Sequence, residues 1–111
     1  DMAFVTDEVF GPLMAVLPFD DEHEVLARAN ATDYGLAGAV FSRDVARANR
    51  VANGIEAGFV WINDYGTMPA SVPFGGYKHS GIGRENGEQA IEHYTQIKTI
   101  YTNLEPDERY L

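Results

Sequence analysis

Three short apolar runs punctuate the chain: Leu13 to Leu17, Ala37 to Phe41, and Gly58 to Ile62. They are continuous rather than alternating, the signature of strands covered on both faces, as in a parallel sheet. Between the first two runs, Asp21 to Asn30 has helical patterning. Asp21 is the expected N-cap, and Glu24 three residues on completes a capping box. Val25, Leu26 and Ala29 then share one face. Between the second and third runs, Val45, Ala48, Val51 and Ala52 recur at helical spacing, with Ser42 as expected N-cap and Gly54 as the stop. The order strand, helix, strand, helix, strand predicts an α/β chain with a three-stranded parallel βαβαβ core.

After Ile62 the pattern changes. Residues 63 to 84 hold Gly66, Gly75, Gly76, Gly81 and Gly83, with Pro69 and Pro73. Loops this long inside compact domains are usually functional or disordered. Tyr65, Met68, Val72, Phe74 and Tyr77 argue against disorder, so the segment reads as a glycine-rich loop lining a site. A short helix is expected near Asn86 to Tyr94, capped by Asn86 with Gln89 as its N3 partner. Ile97 to Leu104 alternates and is β-rich, which predicts a final strand. Glu105 to Arg109 reads as a loose polar tail. This divides the chain into an α/β body over 1–96 and a strand with its tail over 97–111. Three parallel strands leave open edges and uncovered faces. The chain also starts at Asp1 without an initiator methionine, and both features predict further chain or partner subunits.

Charge and composition narrow the function. With 8 Lys and Arg against 17 Asp and Glu among 111 residues, the net charge is −9. Such a surface repels nucleic acid and anionic membranes. At 45% hydrophobic residues the chain is too apolar for a disordered tail, and no apolar run approaches the roughly 18 residues a membrane span needs. Cysteine is absent, which removes disulfides, thiolate metal sites and any cysteine nucleophile on this chain. No signal peptide is visible, so a cytoplasmic setting is expected.

His23, His79 and His93 lack metal-ligand spacing, and zinc needs three or four converging ligands. Solvated or hydrogen-bonded histidines are the simpler reading. Gly81-Ile82-Gly83-Arg84-Glu85-Asn86 comes close to a dinucleotide fingerprint, but it ends on Asn86 and no strand leads into it. Gly76 to Gly81 lacks the Lys-Ser or Lys-Thr of a P-loop. The pyrophosphate of a dinucleotide is therefore not expected here. Two carboxylates stand out. Glu8 lies just before an apolar run, beside Phe10, Gly11 and Pro12, and Glu85 follows the glycine loop. Either can accept hydrogen bonds from a sugar diol or take a proton. Either can also be a plain surface carboxylate, Glu85 favouring a helix N-terminus.

Taken together, several segments resemble the C-terminal part of the NAD(P)-dependent aldehyde dehydrogenase superfamily. They are Glu8-Val9-Phe10-Gly11-Pro12, Ala29 to Ala37, Gly58 to Asn63, Pro73 to Glu85, and Tyr94-Thr95 with Lys98. The segments occur in the family's order, and the long glycine segment is the most specific. The resemblance implies oxidation of an aldehyde to an acid, with NAD or NADP as acceptor. The Cys nucleophile, the general base and the pyrophosphate site would all lie outside the matched region, so this chain alone would be inactive. It implies that Glu8 hydrogen-bonds the nicotinamide ribose and that Phe10 packs near the nicotinamide ring. Betaine-aldehyde-dehydrogenase-like members further imply a potassium site at Lys78 and Gly81, through backbone carbonyls because an ammonium cannot ligate a cation. They also imply a proton relay at Glu85.

Residues 64 to 72 resemble the loop lining the aldehyde entrance, making Tyr65 and Met68 substrate-loop candidates. Tyr65-Gly66-Thr67-Met68-Pro69 departs from the aromatic-acidic patterns of betaine aldehyde enzymes. Trp61, inside an apolar run, reads as core. The family's final strand joins a sheet of the neighbouring subunit, which Ile97 to Leu104 fits. The expected partners are the aldehyde, the rest of an aldehyde dehydrogenase chain and further subunits of a homo-oligomer. The competing expectation is a stand-alone, non-catalytic interaction module that associates through its exposed sheet edges.

Overall fold

The centre of the fold is a parallel strand pair joined through a helix. In the computed structural model, which describes residues 2–105 and 109, β2 (Ala37–Val40) runs parallel to β3 (Phe59–Ile62), with Ala37 opposite Phe59 and Val40 opposite Ile62. The connecting helix α3 (Val45–Gly54) packs on both strands through Ala48, the one fully buried side chain among the described residues. The cap of α3 differs from expectation. Asp44, not Ser42, accepts from the Arg47 backbone N–H at 3.0 Å, while the Ser42 hydroxyl accepts from the Asp44 N–H at 3.1 Å. Ser42 thus sets the turn, and Asp44, two residues nearer, caps the helix.

The preceding helix α2 (Glu22–Asn30) starts as predicted, with Asp21 accepting from the Glu24 N–H at 2.8 Å. The Glu24 carboxylate reaches back to the Asp20 N–H at 2.9 Å, one residue further than a standard capping box. Glu22 ties α2 to α3 by accepting from Arg50 and Arg47. The Arg50 hydrogen bond is the main reason its carboxyl is held below the usual glutamate range.

Two predicted strands are not formed. Leu13 to Leu17 has no ladder, and Met14 and Val16 are 82% and 76% exposed. The parallel core is therefore two-stranded rather than three-stranded. Ile97 to Leu104 is likewise unpaired and exposed. Both segments have strand-like sequences, but a strand exists only where another backbone completes its hydrogen bonds. Neither finds one among the described residues. A short helix α1 (Ala3–Thr6), not anticipated, precedes Glu8. The predicted helix near Asn86 is a 3₁₀ helix, Glu88–Tyr94, and Asn86 does not cap it. Asn86 instead takes positive φ, at 62°, in the turn ahead of it. The predicted loose tail lies partly outside the described residues.

A second, antiparallel pair was not foreseen. β1 (Tyr34–Gly35) pairs with β4 (Tyr77–Lys78) across more than forty intervening residues. It brings the glycine-rich segment back against the end of α2. The radius of gyration is 21.9 Å, against about 13 Å for a compact chain of this length. Phe10, Met14, Ile82, Ile97 and Leu104 are among many exposed apolar side chains. A surface this apolar calls for cover by other protein. No helix among the described residues is long and apolar enough to cross a membrane.

Candidate functional site

The site is built on residues 73 to 87, folded as a closed loop. Phe74 and Glu85 exchange both backbone hydrogen bonds at 2.7 Å. Inside the closure, the Arg84 guanidinium donates to the Gly83 carbonyl at 2.7 Å and the Gly76 carbonyl at 3.1 Å. It also lies 5.4 Å from the centre of the Tyr77 ring. Three backbone segments meet at glycines. A Cβ on Gly58 would fall on the Gly75 carbonyl, and one on Gly75 would fall on the Gly83 carbonyl. β3 and the two arms of the loop are stacked backbone on backbone.

Lys78 fastens this loop to the rest of the chain. Its Nζ donates to the Asn30 carbonyl at 2.8 Å and the Thr32 carbonyl at 3.1 Å, and pairs with Glu56 at 2.8 Å. Asn30 in turn donates to the Gly54 carbonyl and accepts from the Glu56 N–H. The Gly35 N–H donates to the Ser80 hydroxyl at 3.0 Å, and the His79 N–H to the Asp33 carbonyl at 2.9 Å. The ends of α2 and α3 and the residues before β3 are thereby locked to one face of the loop.

Glu8 lines a cleft on that face. Its walls include Asn30, Thr32, Tyr34, His79 and Ser80, and its volume is ≈ 440 Å³. Glu8 thus borders the same cleft as His79 and Ser80 of the glycine-rich segment. Glu8 is exposed to solvent. Phe10 does not line this cleft. It is 93% exposed, with a φ of 50°, and borders a neighbouring cleft that Glu8 also lines. An aromatic ring held in the open with a left-handed backbone is unusual for a bulky residue.

The remaining candidates are distributed as follows. The Lys78 carbonyl accepts from the Gly81 N–H at 3.4 Å, so the two potassium candidates share one turn, and Gly81 has a φ of 118°. Glu85 has its backbone fixed and its side chain exposed. The Tyr65 and Trp61 ring centres are 5.4 Å apart, and Trp61 meets Phe59 in a tilted contact at 4.6 Å. Phe59 continues the row to Phe74 at 5.8 Å. The Trp61 indole N–H donates to the Thr67 carbonyl at 2.7 Å, which orders the loop holding Tyr65 and Met68. No group of three His, Asp or Glu among the described residues could hold a metal ion.

Sequence reasoning missed Arg84, Asn30 and Glu56 as organisers of the site. Their partners are carbonyls and turns far away in sequence, and no local pattern marks them. The anchoring contacts of the Lys78 ammonium are equally long-range and carry no sequence signal.

Residues 1–100 match the model of the aldehyde dehydrogenase family. The chain belongs to that family. It is 59% identical over 103 residues to a betaine aldehyde dehydrogenase of Agrobacterium fabrum, covering 93% of this chain and 21% of the relative. It is 56% identical over 110 residues to a 4-trimethylaminobutyraldehyde dehydrogenase of Oryzias latipes, covering 99% of this chain and 22% of the relative. An NAD+ complex of an aldehyde dehydrogenase from Bacillus cereus superimposes with a TM-score of 0.91 at 50% identity, covering 95% of this chain and 21% of that one. The chain therefore spans about a fifth of the length of the relatives it matches.

Proposed function

We propose that this chain works as the C-terminal part of an NAD(P)-dependent aldehyde dehydrogenase in the cytoplasm, with NAD the better supported acceptor. The reaction converts an aldehyde, water and NAD+ to a carboxylate and NADH, with two protons released. The observation that carries this reading is a cleft lined by both Glu8 and the glycine-rich segment, in a chain matching the family over residues 1–100. Glu8 would accept from both hydroxyls of the nicotinamide ribose, a charge-assisted bidentate contact that fixes the sugar. Phe10, exposed beside it, would give the nicotinamide ring an apolar wall. The bound nicotinamide supplies hydride acceptance. Glu85 would pass a proton from a backbone held by two hydrogen bonds. Lys78 and Gly81 would offer carbonyls to a potassium ion from one turn. The cysteine nucleophile would come from elsewhere in the longer enzyme, since this chain has none.

For the substrate, we take the names of the two relatives together with the aromatic row Phe74, Phe59, Trp61 and Tyr65. Aromatic faces suit a quaternary ammonium, so an aldehyde carrying a trimethylammonium group is the favoured class, with Tyr65 and Met68 on its path. The test is NADH formation by the longer enzyme. Betaine aldehyde is expected to exceed a neutral aldehyde of similar size in kcat/KM by about tenfold or more. Equal values would remove the trimethylammonium preference, and no NADH from any aldehyde would remove the function.

The strand-like segment 97–104 would complete its hydrogen bonds on a neighbouring subunit. Deleting residues 97–111 from the longer enzyme should shift its sedimentation to smaller species. An unchanged profile would refute this role.

A further inference from the structure

One histidine makes a contact that the reading above does not use. His93 sits near the end of the 3₁₀ helix Glu88–Tyr94. Its Nε2 accepts a hydrogen bond from the backbone N–H of Arg84 at 3.3 Å, nine residues upstream. The same ring lies against Gly83, where an added Cβ would meet Cε1 at 3.3 Å and Nε2 at 3.4 Å. Gly83 has a φ of 96°, so the loop presents bare backbone to the ring there. The imidazole thus faces the backbone of both Gly83 and Arg84.

This contact falls one residue before Glu85. The Glu85 N–H and C=O are both spent on Phe74 at 2.7 Å. On the other side, the Arg84 peptide N–H is held by His93 and the Arg84 side chain by the Gly76 and Gly83 carbonyls. The two peptides ahead of Glu85 are thus held in turn, Gly83–Arg84 by His93 of the 3₁₀ helix and Arg84–Glu85 by the Phe74 arm. Remove the imidazole acceptor and the backbone N–H of Arg84 loses its partner, leaving the Phe74 bridge and the Arg84 side chain to hold the approach to Glu85.

We infer that His93 is a positioning residue for Glu85, acting through the Arg84 peptide. The inference rests on the proton-relay reading of Glu85. Three variants of the longer enzyme test it. His93→Leu keeps most of the volume and loses the acceptor. His93→Gln restores an acceptor oxygen near the position of Nε2. Glu85→Gln removes the relay itself. His93→Leu is expected to lower kcat about tenfold, the kinetic value of one hydrogen bond, while KM for cofactor and aldehyde stays within about twofold. His93→Gln should recover kcat to within about threefold of the parent. The double variant His93→Leu with Glu85→Gln should be no slower than Glu85→Gln alone, because residues acting through one another are not additive.

An additive double variant, or equal losses in His93→Leu and His93→Gln, would overturn the positioning role and leave the Glu85 reading standing. An unchanged kcat in Glu85→Gln would remove the relay, and the positioning role with it. If His93→Leu fails to assemble, His93→Asn, whose oxygen stops short of the Nε2 position, replaces it in the same comparison.

Discussion

Gly58→Ala in the longer enzyme should be severely destabilised, while Gly38→Ala on the neighbouring strand should be nearly silent. A Cβ at Gly58 collides with the Gly75 carbonyl and comes within 2.8 Å of the Gly75 carbonyl carbon. Both are backbone, and Gly75 cannot retreat, because its own Cα already faces the Gly83 carbonyl and the Arg84 side chain. Relief requires separating β3 from the whole loop. Overpacking against side chains costs about 1–3 kcal/mol, and a rigid backbone neighbour puts Gly58→Ala at or beyond the top of that range, at roughly 3 kcal/mol or more. At Gly38 the added methyl meets the Ile55 methyl group at 3.3 Å. That side chain can move by a few tenths of an ångström, so the cost should stay under about 1 kcal/mol. Thermal melts of the two purified variants make the comparison. Similar midpoints would show that the loop is not stacked on β3 as described.

The same stacking fixes the loop that carries the candidate site. Loops are mobile unless their backbone groups are spent. Here Phe74 and Glu85 close the loop, Arg84 fills it, and Lys78 bolts it to Asn30, Thr32 and Glu56. The cleft lined by Glu8, His79 and Ser80 inherits that rigidity on the loop side.

What could be read from the sequence follows the range of each interaction. Asp21 and Glu24 act within one helical turn, so α2 and its cap were legible. The α3 cap was misplaced by two residues because Ser42 and Asp44 are both good cap formers, and only the hydrogen bond between them sets the order. The parallel pairing of β2 and β3 was legible because the apolar runs flank a recognisable helix. Leu13 to Leu17 and Ile97 to Leu104 have equally good strand patterns, yet a pattern specifies a face and not a partner. The pairing of Tyr34–Gly35 with Tyr77–Lys78 is held by turns and by Ser80, which no periodicity reports. Glu8 stood out by its place before an apolar run beside Phe10, Gly11 and Pro12, and its suggested role came from likeness to a family. Its meeting with His79 and Ser80 needed three dimensions. Phe10 shares only the neighbouring cleft, and its 93% exposure fits a surface awaiting a ligand or another part of the enzyme.

The claim on which the rest depends is that Glu8 grips the ribose at the reactive end of the cofactor. Isothermal titration of the longer enzyme and its Glu8→Gln variant with NAD+ and with ADP tests it directly. ADP carries the adenosine and pyrophosphate but lacks the nicotinamide ribose. Losing charge-assisted hydrogen bonds costs about 1.5–3 kcal/mol, so the variant should bind NAD+ at least about tenfold more weakly while its ADP affinity stays within about twofold. Unchanged NAD+ binding, or an equal loss for ADP, would contradict the account.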